Sequence, residues 1–122
     1  MRHFLDLRDF STGTLSKILT KAQTLKRAQN AGDGHEQPLA GKTVAMIFGK
    51  PSTRTRISFE VGVAQLGGTS LVLSEQDLQL GRGESIEDTA RVMSRYVDAI
   101  LIRCFDHETL ISLANHASVP II

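Results

Sequence analysis

The sequence predicts an α/β domain of three layers, a parallel sheet of about four strands flanked by helices. Two patterns point there. Four short, nearly uninterrupted apolar runs recur along the chain, as strands covered on both faces require. Between them lie stretches with apolar residues three and four apart, or with helix-capping residues. At 122 residues, 41% of them hydrophobic, the chain fits one domain or part of one.

Leu15, Ile18, Leu19, Ala22 and Leu25 set a helical period from about Ser11 to Asn30, with Ser11 or Thr12 as cap and Gly32 as stop. Residues 31–41 hold three glycines and a proline and read as a loop. The run Thr43–Phe48 is the first buried strand, and a helix from about Thr53 to Leu66 follows. Gly67 and Gly68 end that helix before a second strand, Thr69–Leu73. A polar loop, Ser74–Glu84, leads to a helix opened by the capping-box variant Ser85-Ile86-Glu87-Asp88. Ala99–Ile102 is the third strand, Asp106 caps a helix through Ala117, and Val119–Ile122 begins a fourth strand. A chain that stops on entering a strand is expected to be the front part of a longer protein.

Composition narrows the function classes. Fourteen basic residues against 13 acidic ones, a net charge of +1, argue against a charged disordered tail and against nonspecific nucleic-acid binding. Six aromatic residues without tryptophan offer no platform for stacking bases. The apolar runs fall far short of the roughly 20 residues a membrane span needs. Asp6 and Asp9 follow Met1-Arg2-His3-Phe4 too closely for a signal peptide. One cysteine allows neither an internal disulfide nor a cysteine-rich metal site. The expected setting is a soluble, cytoplasmic globular chain without a membrane or nucleic-acid partner.

The chemistry concentrates after the first strand, in Gly49-Lys50-Pro51-Ser52-Thr53-Arg54-Thr55-Arg56. Arginines in the first turn of a helix face its positive dipole end, at a cost of about 0.3–1 kcal/mol each. An anion docked there offsets that cost, because free backbone N–H groups, hydroxyls and a guanidinium converge on it. Arg54 and Arg56 are two apart and point to different helix faces, and Glu60 offers Arg56 an intrahelical partner. The same residues also fit a plain Ser/Thr cap with two solvated arginines. Nucleotide motifs fail. A phosphate-binding P-loop needs glycine where Val44 or Glu36 stands, and Gly81-Arg82-Gly83 lacks both the third glycine and a directly preceding strand.

Three blocks resemble a known family. Phe48-Gly49-Lys50-Pro51-Ser52-Thr53-Arg54-Thr55-Arg56-Ile57-Ser58-Phe59-Glu60 is similar to the carbamoyl-phosphate signature of transcarbamoylases. The stretch Asp77 to Arg91, centred on Gln79-Leu80-Gly81-Arg82-Gly83-Glu84-Ser85, and the stretch Tyr96 to Arg103 resemble the second and third blocks of the family's ornithine branch. The Phe-Gly-Lys-Pro form and Gln79 favour that branch over the aspartate one.

The resemblance implies a carbamoyl-phosphate-binding domain over residues 1–122, the N-terminal domain of a transcarbamoylase. It implies that Ser52, Thr53, Arg54 and Thr55 hold the phosphate, that Arg54 bridges toward the reacting group, and that Thr55 and Arg103 reach the carbamoyl oxygen. Arg54, Thr55 and Arg103 would then be catalytic, and Gln79 would also contact carbamoyl phosphate, from a loop that crosses into a neighbouring subunit's site in a homotrimer. The implied reaction carbamoylates the δ-amine of L-ornithine to give citrulline and phosphate in arginine metabolism, with no metal or organic cofactor. A His-Pro-x-Gln motif, the ornithine-binding domain and a C-terminal helix are expected beyond Ile122, so this chain alone is expected to be inactive. Transcarbamoylation of aspartate or putrescine, or a non-catalytic anion-binding module, remains as an alternative.

Other candidates favour plainer roles. Cys104 with His107 can be drawn as a nucleophilic pair, but a lone cysteine after a buried strand is ordinarily a small apolar filler. His3, His35, His107 and His116 lack ligand spacing. Glu84, Glu87 and Asp88 at a helix start suit capping better than acid–base work. Phe59, Val63, Leu66, Met93 and Tyr96 are expected as packing residues.

Overall fold

The computed structural model describes residues 2–32, 34, 36–49, 51–78, 83–104 and 106–122. A 3-10 turn (Leu7–Asp9) and helix α1 (Thr12–Ala31) lead into strand β1 (Thr43–Phe48). Then come α2 (Thr53–Gln65), β2 (Thr69–Ser74), α3 (Glu75–Leu78), α4 (Ile86–Met93), β3 (Ala99–Arg103) and α5 (His107–His116). The caps read from sequence operate. Ser11, Ser85 and Asp106 accept from the backbone N–H of Thr14, Asp88 and Glu108, and Gly32 closes α1 at φ 71°, where a side chain would be strained.

The sheet runs in the order β2-β1-β3, all parallel. β1 sits in the middle, and its alternating side chains divide the core. Ala45 and Ile47 join Ile100, Ile102 and residues of α4 and α5, among them Ala90, Met93, Leu113 and Ala114. Val44 and Met46 face the other way, onto Leu101 and Val63 of α2. Helices therefore cover both faces, and near-continuous apolar strands are the sequence consequence.

The structure bears out the sheet and corrects two expectations, the loop after β2 and the packing of Phe59 and Tyr96. The sheet of about four strands has three full strands here. The fourth is only begun, by a parallel bridge between Ile100 and Ile121. One residue pair is too little to count as a strand, although Ile121 is fully buried. The expected polar loop after β2 instead opens with the single turn α3. Ser74 and Asp77 cap each other there, Asp77 N–H donating to Ser74 Oγ at 3.1 Å and Ser74 N–H to Asp77 Oδ2 at 2.9 Å. This is the Ser-x-x-acid spacing of a capping box, a signal present in the sequence.

Helix α1 forms as expected, yet none of its residues is buried and Leu19 is 68% exposed. An amphipathic pattern specifies which face is apolar, not which element covers it. A groove of about 210 Å³ between Ala22, Leu25 and Gln29 of α1 and Gly62, Gln65 and Leu66 at the end of α2 is almost wholly apolar. Finally, Val63 and Met93 pack inside, whereas Phe59 and Tyr96 lie exposed. Val97, one residue after Tyr96, takes the buried place.

Candidate functional site

In open parallel sheets, ligands bind beyond the carboxyl ends of the strands, where successive connections leave on opposite faces. Here α2 leaves β1 on one face and returns to β2, and the next connection crosses back by the other face to β3. The expected crevice therefore lies at the ends of β1 and β3. Residues Phe48 and Arg103, the last of each strand, are register partners, and Gly49 N–H donates to Arg103 O at 2.9 Å. The turn after β1 and the side chain of Arg103 consequently emerge side by side.

They meet. Arg103 Nη1 donates to the hydroxyl of Ser52 and, at 3.2 Å, to Oγ1 of Thr55. Ser52 occupies the N-cap position of α2 but makes no capping hydrogen bond with its side chain. Its hydroxyl is committed to Arg103, so the simple-cap alternative fails at this residue. Arg56 Nε donates to Glu60 Oε2 at 3.1 Å, the intrahelical pair expected from their spacing. Arg54 is exposed and makes no ion pair or side-chain hydrogen bond among the described residues. Its carbonyl accepts from Ser58 Oγ at 2.8 Å.

The first turn of α2 thus carries two arginines and no acidic residue. One arginine is paired, and the other is free beside exposed Thr53 and the N–H groups of the helix start. That combination offers what an anion would need, positive dipole end and unspent donors together.

Beside it, at the ends of β1 and β2, opens a cleft of about 830 Å³. Ser52, Thr53 and Arg56 form one wall, and Ser74, Glu75 and Asp77 the other. The Glu75 carboxylate lies against Gly49, where a Cβ would come within 2.5 Å of Oε1. Hydrogen bonds from Ser74 hold the Asp77 carboxyl below its ordinary value. From sequence, residues 74–77 read as polar loop, with Asp77 opening the second family block, and are not placed on this cleft; the Ser74–Asp77 spacing is the signal that marks the first turn.

The remaining candidates resolve simply. Burial pushes the Cys104 thiol above its usual value, the opposite of an activated nucleophile, and its Sγ donates to Asp106 O at 3.2 Å. Glu87 is held below the usual carboxylate range, first by its own backbone N–H, and Asp88 pairs with Arg91 at 3.0 Å. Glu87 is therefore not a carboxyl kept protonated for acid catalysis. Among the described residues no group of three His, Cys, Asp or Glu side chains is placed to hold a metal, and no helix is long and apolar enough to cross a membrane. Gln79, with His35 and the Leu80-Gly81-Arg82 stretch, lies outside the described residues.

Residues 2–122 match the model of the aspartate/ornithine carbamoyltransferase, carbamoyl-P binding domain. The chain belongs to that family. Ornithine carbamoyltransferases of Nitrobacter winogradskyi and Rhizobium meliloti are 56% and 57% identical to it over 121 residues, 99% of this chain in both cases. It spans 39% and 40% of those relatives' length. The ornithine carbamoyltransferase structure from Pyrococcus furiosus superposes with a TM-score of 0.93 at 53% identity, over 99% of this chain and 38% of that one. An acetylornithine transcarbamylase complexed with acetylcitrulline shares the fold at a TM-score of 0.85 and 35% identity, over 100% of this chain and 42% of that one. The three-layer α/β architecture is thus that of the carbamoyl-P binding domain, and the α2 start described above falls within the matched residues.

Proposed function

We propose that the chain supplies the carbamoyl-phosphate site of an ornithine carbamoyltransferase. The convergence of Arg103 on Ser52 and Thr55, beside an uncommitted Arg54, supports this most directly. In this reading Ser52, Thr53, Arg54, Thr55 and the N–H groups of the α2 start take the phosphate. Arg103 and Thr55 face the carbamoyl oxygen, and Arg54 spans the two.

The uncharged δ-amine of ornithine donates its lone pair to the carbonyl carbon. Negative charge grows on the carbonyl oxygen, the bond to the phosphate oxygen breaks, and phosphate leaves with the electron pair. The amine nitrogen loses a proton, which the departing phosphate takes up, as citrulline forms. Donors fixed before the reaction stabilise charge as it develops without reorganising, and each is worth about 3 kcal/mol in such sites. The Arg103–Thr55 bond provides that fixing. No step calls for a metal or organic cofactor.

The acceptor amine would be held by sequence beyond the family match, and the identities of 56% and 57% to ornithine enzymes favour ornithine over the acetylated acceptor. We further infer a cytoplasmic homotrimer serving arginine biosynthesis, with Gln79 reaching a neighbour's site. The test is carbamoyl transfer by the full-length protein offered ornithine, acetylornithine, aspartate and putrescine in turn. Citrulline from ornithine is expected; carbamoylation of another amine alone, or of none, overturns the reading.

A further inference from the structure

The stretch before α1 closes the outer edge of the sheet. Beyond β3 the backbone of residues 120–122 pairs with it: Ile100 N–H donates to Pro120 O, Ile122 N–H to Ile100 O and Ile102 N–H to Ile122 O, each at 2.9 Å. Ile121 is fully buried, and its own N–H and carbonyl point away from β3. Phe4 N–H donates to Ile121 O at 2.8 Å. The return bond comes from a side chain: Ile121 N–H donates to His3 Nδ1 at 3.0 Å.

We propose that His3 and Phe4 form a pH-sensitive clasp on this edge. An imidazole nitrogen accepts only while it carries no proton, so the clasp requires the tautomer with its hydrogen on Nε2. Protonation sets an N–H against an N–H and leaves the amide of a buried residue without a partner. The clasp is therefore closed where His3 is neutral and opens as acid protonates it.

Arg2 lies over the Phe10 ring at 4.2 Å and donates to Asp9 O, while Asp6 is paired with Arg8. Residues 118–122 carry no ionisable side chain. From α5, His107 acts by its charge on Asp6. Phe4 and Phe10 stack at 4.7 Å, so an open clasp also frees the turn leading into α1.

The test is amide hydrogen exchange of Ile121 in the intact, isotopically labelled chain, corrected for intrinsic rates. Protection is expected to fall about tenfold on going from neutral to acid solution in the wild type. In His3→Asn, whose amide oxygen accepts at every pH, protection should stay level. Protection that is constant in the wild type, or that falls equally in His3→Asn, overturns the proposal. Should that variant not fold, the wild-type imidazole nitrogen shifts decide: a hydrogen on Nδ1 at neutral pH overturns it, and one on Nε2 supports it.

Discussion

Arg103 Nη1 and Thr55 Oγ1 lie 3.2 Å apart although 48 residues separate them in sequence. The bond follows from parallel register. Phe48 and Arg103 end neighbouring strands at the same level, so the turn after one and the last side chain of the other share an edge. An arginine planted on a strand end is held more firmly than one on a loop, which is the placement an electrostatic catalyst needs.

Arg54→Ala separates binding from folding. Its side chain has no partner among the described residues, so stability should change by no more than about 0.5 kcal/mol. Under the proposed function, carbamoyl transfer by the full-length protein should nevertheless fall at least about a hundredfold. Steady-state kinetics with a denaturation curve on the same sample check both; near-normal turnover contradicts the role.

Arg103 and Ser52 should couple. Each single change to alanine removes the same hydrogen bond, so a double-mutant cycle on unfolding free energy should return an interaction of about 0.5–3 kcal/mol. Additive effects would mean that the two side chains do not meet in solution.

Thr89 offers a stabilising change. Its residue is 2% exposed, and its hydroxyl has no hydrogen-bond partner among the described residues. Thr89→Val removes the unsatisfied group at nearly constant shape, and the urea midpoint should rise by an amount equivalent to about 1 kcal/mol. A lowered midpoint would reveal a partner for that hydroxyl.

Acid should weaken the fold through specific carboxylates. The Arg8 side chain holds Asp6 down to about 2, and a hydrogen bond from Thr43 N–H, with Lys42 beside it, holds Asp98 below its ordinary value. A pKa lowered on folding contributes stability that is complete above the unfolded value, near 3.9, and is lost as pH falls through the folded one. Asp98→Asn should therefore flatten part of the decline in stability between about pH 5 and about pH 2. Parallel curves for the variant and wild type would exclude Asp98 as a contributor.

Much of this architecture is legible without coordinates because it rests on local rules. Strand β1 falls on the run Thr43–Phe48, and Ser11, Gly32, Ser85 and Asp106 bound their helices, since a cap is decided by one side chain and the backbone within one turn. The pairing of Arg56 with Glu60 is equally local, set by helical spacing. The one-turn α3 is not legible because a single turn has no period to detect, and Tyr96, expected as a packing residue, lies outside because the exit of α4 turns it outward and Val97 inward.

From residue order alone came the α/β alternation, the capped elements and an electrically unbalanced helix start at Thr53-Arg54. Folding in three dimensions chose Ser52 and Thr55 as partners for Arg103, drew His3 to Ile121, and left the apolar stripe of α1 at the surface. The division has a physical cause. Short-range backbone preferences act within a few residues, whereas contacts across 48 or 118 residues depend on strand order and register, which only the assembled sheet defines.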